Sequence, residues 1–157
     1  KISFTPEKGL NDEERAASCL VANAGKPLTS GKQAECYANE YIGLHLSEIN
    51  EGKTYAESSG EARELGAKAE AAVEEDPDSA ATRALEADAK AASAKVDSLF
   101  RGETLRGLLL TSFGFSVFGE RAAQAALVAF LVAAVLAIAS IAGLAHAFGK
   151  AGDEVIE

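Results

Sequence analysis

The sequence predicts an all-α chain: helical hairpins outside the membrane, then an interfacial segment, then one transmembrane helix. Three observations predict it. Ala125–Ala145, AALVAFLVAAVLAIASIAGLA, is a run of 21 residues without a charge. At about 1.5 Å of rise per residue it reaches about 31 Å, close to the roughly 30 Å hydrocarbon core of a bilayer. The stretch from Tyr55 to Leu99 is dominated by Ala, Glu and Lys, which are strong helix formers. Helix starts and stops punctuate the rest at regular intervals. A buried helix of a soluble protein is the rival reading of Ala125–Ala145. Such helices seldom need more than 20 uninterrupted uncharged residues, and no other segment here is apolar enough to bury them.

The boundaries expected from these signals are an acidic extracytoplasmic module over 1–100, an apolar connector over 101–121, the transmembrane helix over 122–149 and an acidic cytoplasmic tail over 150–157. The chain has 157 residues and begins at Lys1, not Met. An upstream segment is therefore expected, either a cleaved signal peptide or a first membrane helix. Either would deliver residues 1–121 to the outside.

Charge is uneven. Residues 1–104 carry 20 Asp and Glu against 12 Lys and Arg, whereas 105–157 carry 4 against 3. The first part is an acidic, water-facing module, a balance that disfavours nucleic acid and anionic lipid heads and favours a basic partner. Simple solubility is the plainer account of the same charge. Counted literally, Arg101, Arg106 and Arg121 before the span against Lys150 after it would put the amino-terminal side in the cytoplasm. Segments as long as 1–121 are largely exempt from that rule, and the cysteine pair argues for the outside.

Cys19 and Cys36 lie 17 positions apart in the acidic part. In an exported segment such a pair forms a disulfide, stabilising by about 3 kcal/mol in the chain-entropy model. A metal site is the rival, lacking CxxC spacing and with only His45 nearby as a further soft ligand. Two buried free thiols are the third alternative.

In chain order, residues 1–10 look irregular, broken by Pro6 and Gly9. A first helix is expected from Asn11, the cap, to Ala24, with Asp12, Glu13 and Glu14 suiting the positive end of its dipole and Gly25 ending it. Ser30 caps a second helix, Lys32–Asn50, bearing Tyr37, Tyr41, Leu44 and Ile49. A Cys19–Cys36 bridge would staple these two helices. Gly52-Lys53-Thr54 is not a phosphate loop, since the glycine required five places earlier is Ser47 and no strand precedes it. It reads instead as a helix stop at Gly52 and a T-x-x-E capping box, Thr54 with Glu57.

The next helix runs from Tyr55 to Val73. Asp76 as cap and Pro77 in the first turn then begin another that reaches Leu99, antiparallel to it. Their facing surfaces are mostly alanine, so the hairpin is marginal and leans on a neighbour. Phe100–Gly119 is apolar but too short to span before Glu120-Arg121. Its Leu105, Leu108, Leu109, Phe113, Phe115 and Phe118 are expected at an interface or under a partner. A helix continuous from Leu105 to Gly149 would be more than twice the hydrocarbon core, so part of it is expected to lie outside or to bend, Gly114 and Gly119 being natural places for that.

Catalysis needs converging groups. His45 and His146 fall on opposite sides of the predicted span, and no GxSxG, HExxH, dinucleotide fingerprint or CxxCH appears. No enzyme activity and no metal or cofactor of the chain's own is expected. In the span, Ala122, Ala126, Ala129, Ala133, Ala137, Ser140 and Gly143 recur every three or four residues. Leu127, Phe130, Leu131, Val135, Ile138 and Ile141 lie largely elsewhere. A stripe of small residues lets another helix approach closely, so this face is expected to contact a partner helix and the rest lipid.

At GKTYAE (Gly52–Glu57), and again at TLRGLLLTSFGFS (Thr104–Ser116) running into the alanine-rich span, the chain resembles a family of actinobacterial membrane proteins often labelled aromatic ring-opening dioxygenases. The likeness covers roughly residues 50–148. Its members look like two membrane helices flanking a helical extracytoplasmic domain, and one kind is an accessory subunit of the cytochrome bcc–aa3 respiratory supercomplex. The resemblance implies a first membrane helix before Lys1, bc-type or aa3 oxidase subunits as partners, and haem and copper held by those partners. Nothing catalytic carries over, because the ring-opening label has no matching iron ligands here. The expected function is that of a non-catalytic accessory subunit. The alternative is a free-standing membrane-anchored extracytoplasmic binding module.

Overall fold

The computed structural model describes the backbone of residues 1–153 and the side chains of residues 1–149. Among the described residues the chain is all-α, with one isolated antiparallel bridge between Ser3 and Pro27. It divides into two units, Lys1–Phe115 and a second beginning at Ser116. The division falls inside the last helix, because Leu99 and Leu109 belong to the core of the first unit.

The opening residues are ordered by backbone pairing: Phe4 N–H donates to Lys26 O at 2.9 Å and Leu28 N–H to Ile2 O at 3.0 Å. After a short 3-10 turn at Glu7–Gly9 comes α1, Asp12–Ala16, capped by Asn11 as expected. The single helix expected to Ala24 is two: α2, Ser18–Asn23, starts anew because Ala17 leaves helical geometry with ψ 100°. Six residues apart on one helix, Glu14 and Leu20 would point about 120° apart. The break lets both be buried, at 4% and 1% exposure.

From Gly31 to Glu48 the chain winds continuously as α3, Gly31–Cys36, a π-type segment, Tyr37–Ile42, and α4, Gly43–Glu48. Ser30 caps α3, and Gln33 completes a reciprocal box. The π-type turns answer a feature of the sequence. Ala34, Ala38, Ile42 and Leu46 repeat every four residues, a spacing that drifts about 40° per step on an α-helix. Wider i→i+5 turns take up the drift, and all four side chains reach the core. They meet Leu99 and Leu109 from the last helix. A second cluster joins Phe4, Leu20 and Cys36.

The turn after α4 places Asn50, Glu51 and Gly52 at φ 50°, 60° and 76°. This left-handed run reverses the chain, and Gly52 is the member that accepts the geometry without side-chain strain. Thr54 then caps α5, Tyr55–Glu75, in the expected box with Glu57. The last helix, α6, runs Ala80–Asp153. Its start differs from expectation: Asp76 ends α5 and turns back on Asp78 N–H, while Ser79 Oγ accepts from Thr82 N–H at 2.9 Å. Thr82, 2% exposed, decides the matter by donating its hydroxyl to Asp76 O at 2.6 Å, sealing the turn with the cap at Ser79. At Gly114 and Gly119, where bends are expected, α6 keeps its helical assignment. Alanine and leucine neighbours hold it without a break. Within the second unit it includes the one stretch, among the described residues, long and apolar enough to cross a membrane. The acidic tail expected over 150–157 lies outside the residues whose side chains are described.

Candidate docking surfaces

Cys19 and Cys36 form a disulfide, with Cα atoms 6.1 Å apart. Both thiols are thereby used, which removes the metal and free-thiol alternatives. The bridge ties α2 to the end of α3 and backs an aromatic column in which Phe4 caps Tyr37, Tyr41 and His45, the last three repeating every four residues. Phe4 meets Tyr37 edge-on at 5.3 Å, Tyr37 lies 4.7 Å from Tyr41, and Tyr41 lies 4.5 Å from the ring of His45. Burial, with the neighbouring Tyr41 and the Glu14 carboxylate, pushes the Tyr37 hydroxyl above the ordinary tyrosine range. At the foot of the column His45 Nδ1 lies 2.7 Å from Tyr41 O, so this nitrogen donates, and Nε2 faces Glu14 Oε1 at 3.5 Å. Glu14 is buried, and its other oxygen accepts from Asn11 N–H at 2.7 Å. Sequence reasoning placed Glu14 as a helix-dipole residue only. The acidic run Asp12–Glu14 does not say which member turns inward; the break at Ala17 does.

Two polar bridges bind the α5–α6 hairpin to the amino-terminal helices. Asn50 Nδ2 donates to Ser58 Oγ at 3.0 Å and Glu61 Oε2 at 3.1 Å, and its Oδ1 accepts from Lys95 Nζ at 3.1 Å. Lys53 Nζ meets Glu61 at 2.6 Å. The hydrogen bonds from Lys53 and Asn50 hold the Glu61 carboxyl below the usual range, and that from Thr54 does the same for Glu57. Lys53 is held above its own range by Glu61. These groups are solvent-exposed, so their worth is small. On the other side Arg106 reaches Asn39 Oδ1 at 3.4 Å and Glu103 at 3.8 Å. Beside it α6 comes so close to α4 that a Cβ on Gly102 would lie 2.5 Å from Leu46 Cδ2.

The expected interfacial residues do not all share one environment. Leu109 is 7% exposed and belongs to the core of the first unit. Phe113 is half-buried, with Lys32 Nζ 4.9 Å from its ring centre. Both thus make contacts within the chain, Leu109 in its core and Phe113 against Lys32. An apolar run cannot show which of its faces the chain itself covers. Leu105, Leu108 and Phe115 are exposed in the first unit, and Phe118 in the second. The stripe residues Ala122, Ala126, Ala129, Ala133, Ala137, Ser140 and Gly143 are exposed too, as is every residue from Phe118 to Gly149. Helical periodicity keeps the stripe on one side of α6.

Among the described residues no three His, Cys, Asp or Glu side chains converge to hold a metal ion. Comparison with protein-family models, curated proteins and solved structures gives no match.

Proposed function

We propose that the chain is a non-catalytic accessory subunit of a larger membrane assembly, a cytochrome bcc–aa3 respiratory supercomplex of the actinobacterial kind. It contributes assembly or stability by docking α6 and its helical module on other subunits. The observation that carries the docking part is the unbroken exposure of an apolar helix from Phe118 to Gly149, fronted by a small-residue stripe. Lipid satisfies the Leu, Ile, Val and Phe side chains, while the stripe from Ala122 to Gly143 accepts a partner helix, whose close approach supplies packing that lipid cannot. On the first unit Leu105, Leu108 and Phe115 offer an apolar contact of their own. The disulfide supports placing residues 1–121 outside the membrane and the carboxyl terminus in the cytoplasm. The respiratory partners are supported by the sequence resemblance at Gly52–Glu57 and Thr104–Ser116. Haem and copper belong to those partners in this reading.

Purification in mild detergent tests it. The chain is expected to travel with bc-type or aa3 oxidase subunits. Recovery as a lone monomer or homodimer would overturn the reading and leave the free-standing binding module. For topology, a membrane-impermeant thiol reagent applied to intact cells after reduction is expected to label Cys19 and Cys36. Labelling only after lysis would place the module inside.

A further inference from the structure

The α5–α6 hairpin is not closed along its length. Small residues on the facing sides leave a cleft of about 350 Å³, lined by Tyr55, Ser59, Ala62 and Arg63 from α5 and by Ser93 and Val96 from α6. At one end Tyr55 and Phe100 stack at 5.9 Å, yet remain 44% and 56% exposed. Ser59 Oγ is shut off from solvent and has no hydrogen-bond partner among the described residues. Arg63 is the charged member of the lining. The basic residues around it are engaged: Lys53, just before the hairpin, by Glu61, and on the hairpin Lys68 by Glu64, Arg101 by Asp97, Lys95 by Asn50, and Arg83 by the Asp78 carbonyl. Among the described residues of the hairpin, Arg63 and Lys90 have no such acceptor, and Lys90 does not line the cleft. An uncommitted guanidinium beside an apolar cleft, on a module that is otherwise acidic, calls for a carboxylate together with an apolar group.

We infer that this cleft seats an apolar side chain from a helix of a partner protein, with an Asp or Glu one turn away on that helix pairing with Arg63. The inference rests on the docking-subunit reading and names a second contact of that subunit, outside the span. The charge pattern selects the occupant. A phospholipid head could also offer an anion to Arg63, but the surrounding carboxylates of residues 1–104 repel an anionic membrane surface, whereas a single carboxylate on a helix meets the guanidinium alone. A helical anchor also completes the packing that an alanine-faced hairpin lacks.

The test is photocrosslinking of the full chain in its native membranes, with p-benzoylphenylalanine replacing the exposed Ser93. The expected result is a protein adduct whose crosslinked residue lies within one helical turn of an Asp or Glu. Arg63→Glu is expected to lower its yield about tenfold, whereas Arg63→Lys retains most of it. Arg63→Gln, with helicity checked by circular dichroism, separates charge loss from misfolding and should fall between them. A lipid adduct, an adduct to a second copy of this chain, no adduct, or a yield indifferent to residue 63 would each overturn the inference. Co-purification from the same membranes keeps the two proposals apart. A charge-dependent adduct to a non-respiratory protein sinks the supercomplex and spares the cleft. Respiratory co-purification without the adduct does the reverse.

Discussion

Residues 1–115 and the helix beyond Ser116 solve the problem of apolar surface in opposite ways. The first unit carries few large side chains but buries Phe4, Leu10, Leu20, Ile42, Leu46, Leu99 and Leu109, and locks them with a disulfide, three reciprocal helix caps and the Asn50 bridge. The second is far more apolar, yet from Phe118 to Gly149 it covers nothing of itself. The difference teaches that apolar content does not measure how much of a chain is a core. In water the driving force closes a surface inward; a helix matched to the bilayer has its solvent supplied by lipid and leaves specificity to shape.

The strongest way to break this comparison is to remove the disulfide. Cys19→Ser with Cys36→Ser is expected to cost the first unit about 2–5 kcal/mol. Near-ultraviolet circular dichroism of the tyrosines in detergent should show early melting, while far-ultraviolet helicity from the span survives. Joint loss of both signals would show that the units are one cooperative block. Next in size is a pair of glycines. Gly102→Leu should cost about 1–3 kcal/mol by overpacking against Leu46. Gly114→Ala, where an added Cβ meets nothing within 4 Å, should be neutral or stabilise by up to about 1 kcal/mol. Equal effects at the two sites would deny the close approach of α6 to α4. Thr54→Ala should cost about 1 kcal/mol through loss of the α5 cap, read as a lowered melting temperature.

Smaller still are the pH effects, confined to the first unit. The raised Tyr37 contributes stability that is complete below about pH 10 and is lost as pH rises through its folded value. Tyr37→Phe should flatten that alkaline limb. The depressed Glu57 and Glu61 contribute stability that is present above about pH 4.5 and lost as pH falls through their folded values. Glu61→Gln should shorten that acid limb slightly. Smallest for the chain itself, and largest for the proposed assembly, is the stripe: Ala133→Leu with Gly143→Leu should leave melting unchanged and abolish co-purification. Unchanged co-purification would move the contact to another face.

Much of this arrangement is legible from single residues. The caps at Asn11, Ser30 and Thr54 and the uncharged run Ala125–Ala145 depend on local chemistry or length, and need no neighbour to interpret them. The four-residue repeats Ala34–Leu46 and Tyr37–His45 stand in the sequence too, but such a spacing is ordinary on an α-helix, and only the structure shows the π-type turns between them. The competition between Asp76 and Ser79 was not decidable, since both are good caps and only the buried Thr82 hydroxyl selects between them. Likewise Leu109 and Phe113 differ from Leu108 and Phe115 only in which side of α6 meets the amino-terminal helices.

By itself, then, the sequence determined that the chain is helical, where most helices begin, and that one stretch suits a bilayer, and it favoured a cysteine pair that the structure then closed. These follow from hydrogen-bonding capacity, charge and length along the chain. Tertiary structure alone decided that Glu14 turns inward, that Gly102 gives way to Leu46, and that the α5–α6 hairpin leaves a cleft beside an uncommitted Arg63. Each depends on which surfaces residues far apart in the chain bring together, and a one-dimensional pattern carries no record of that meeting.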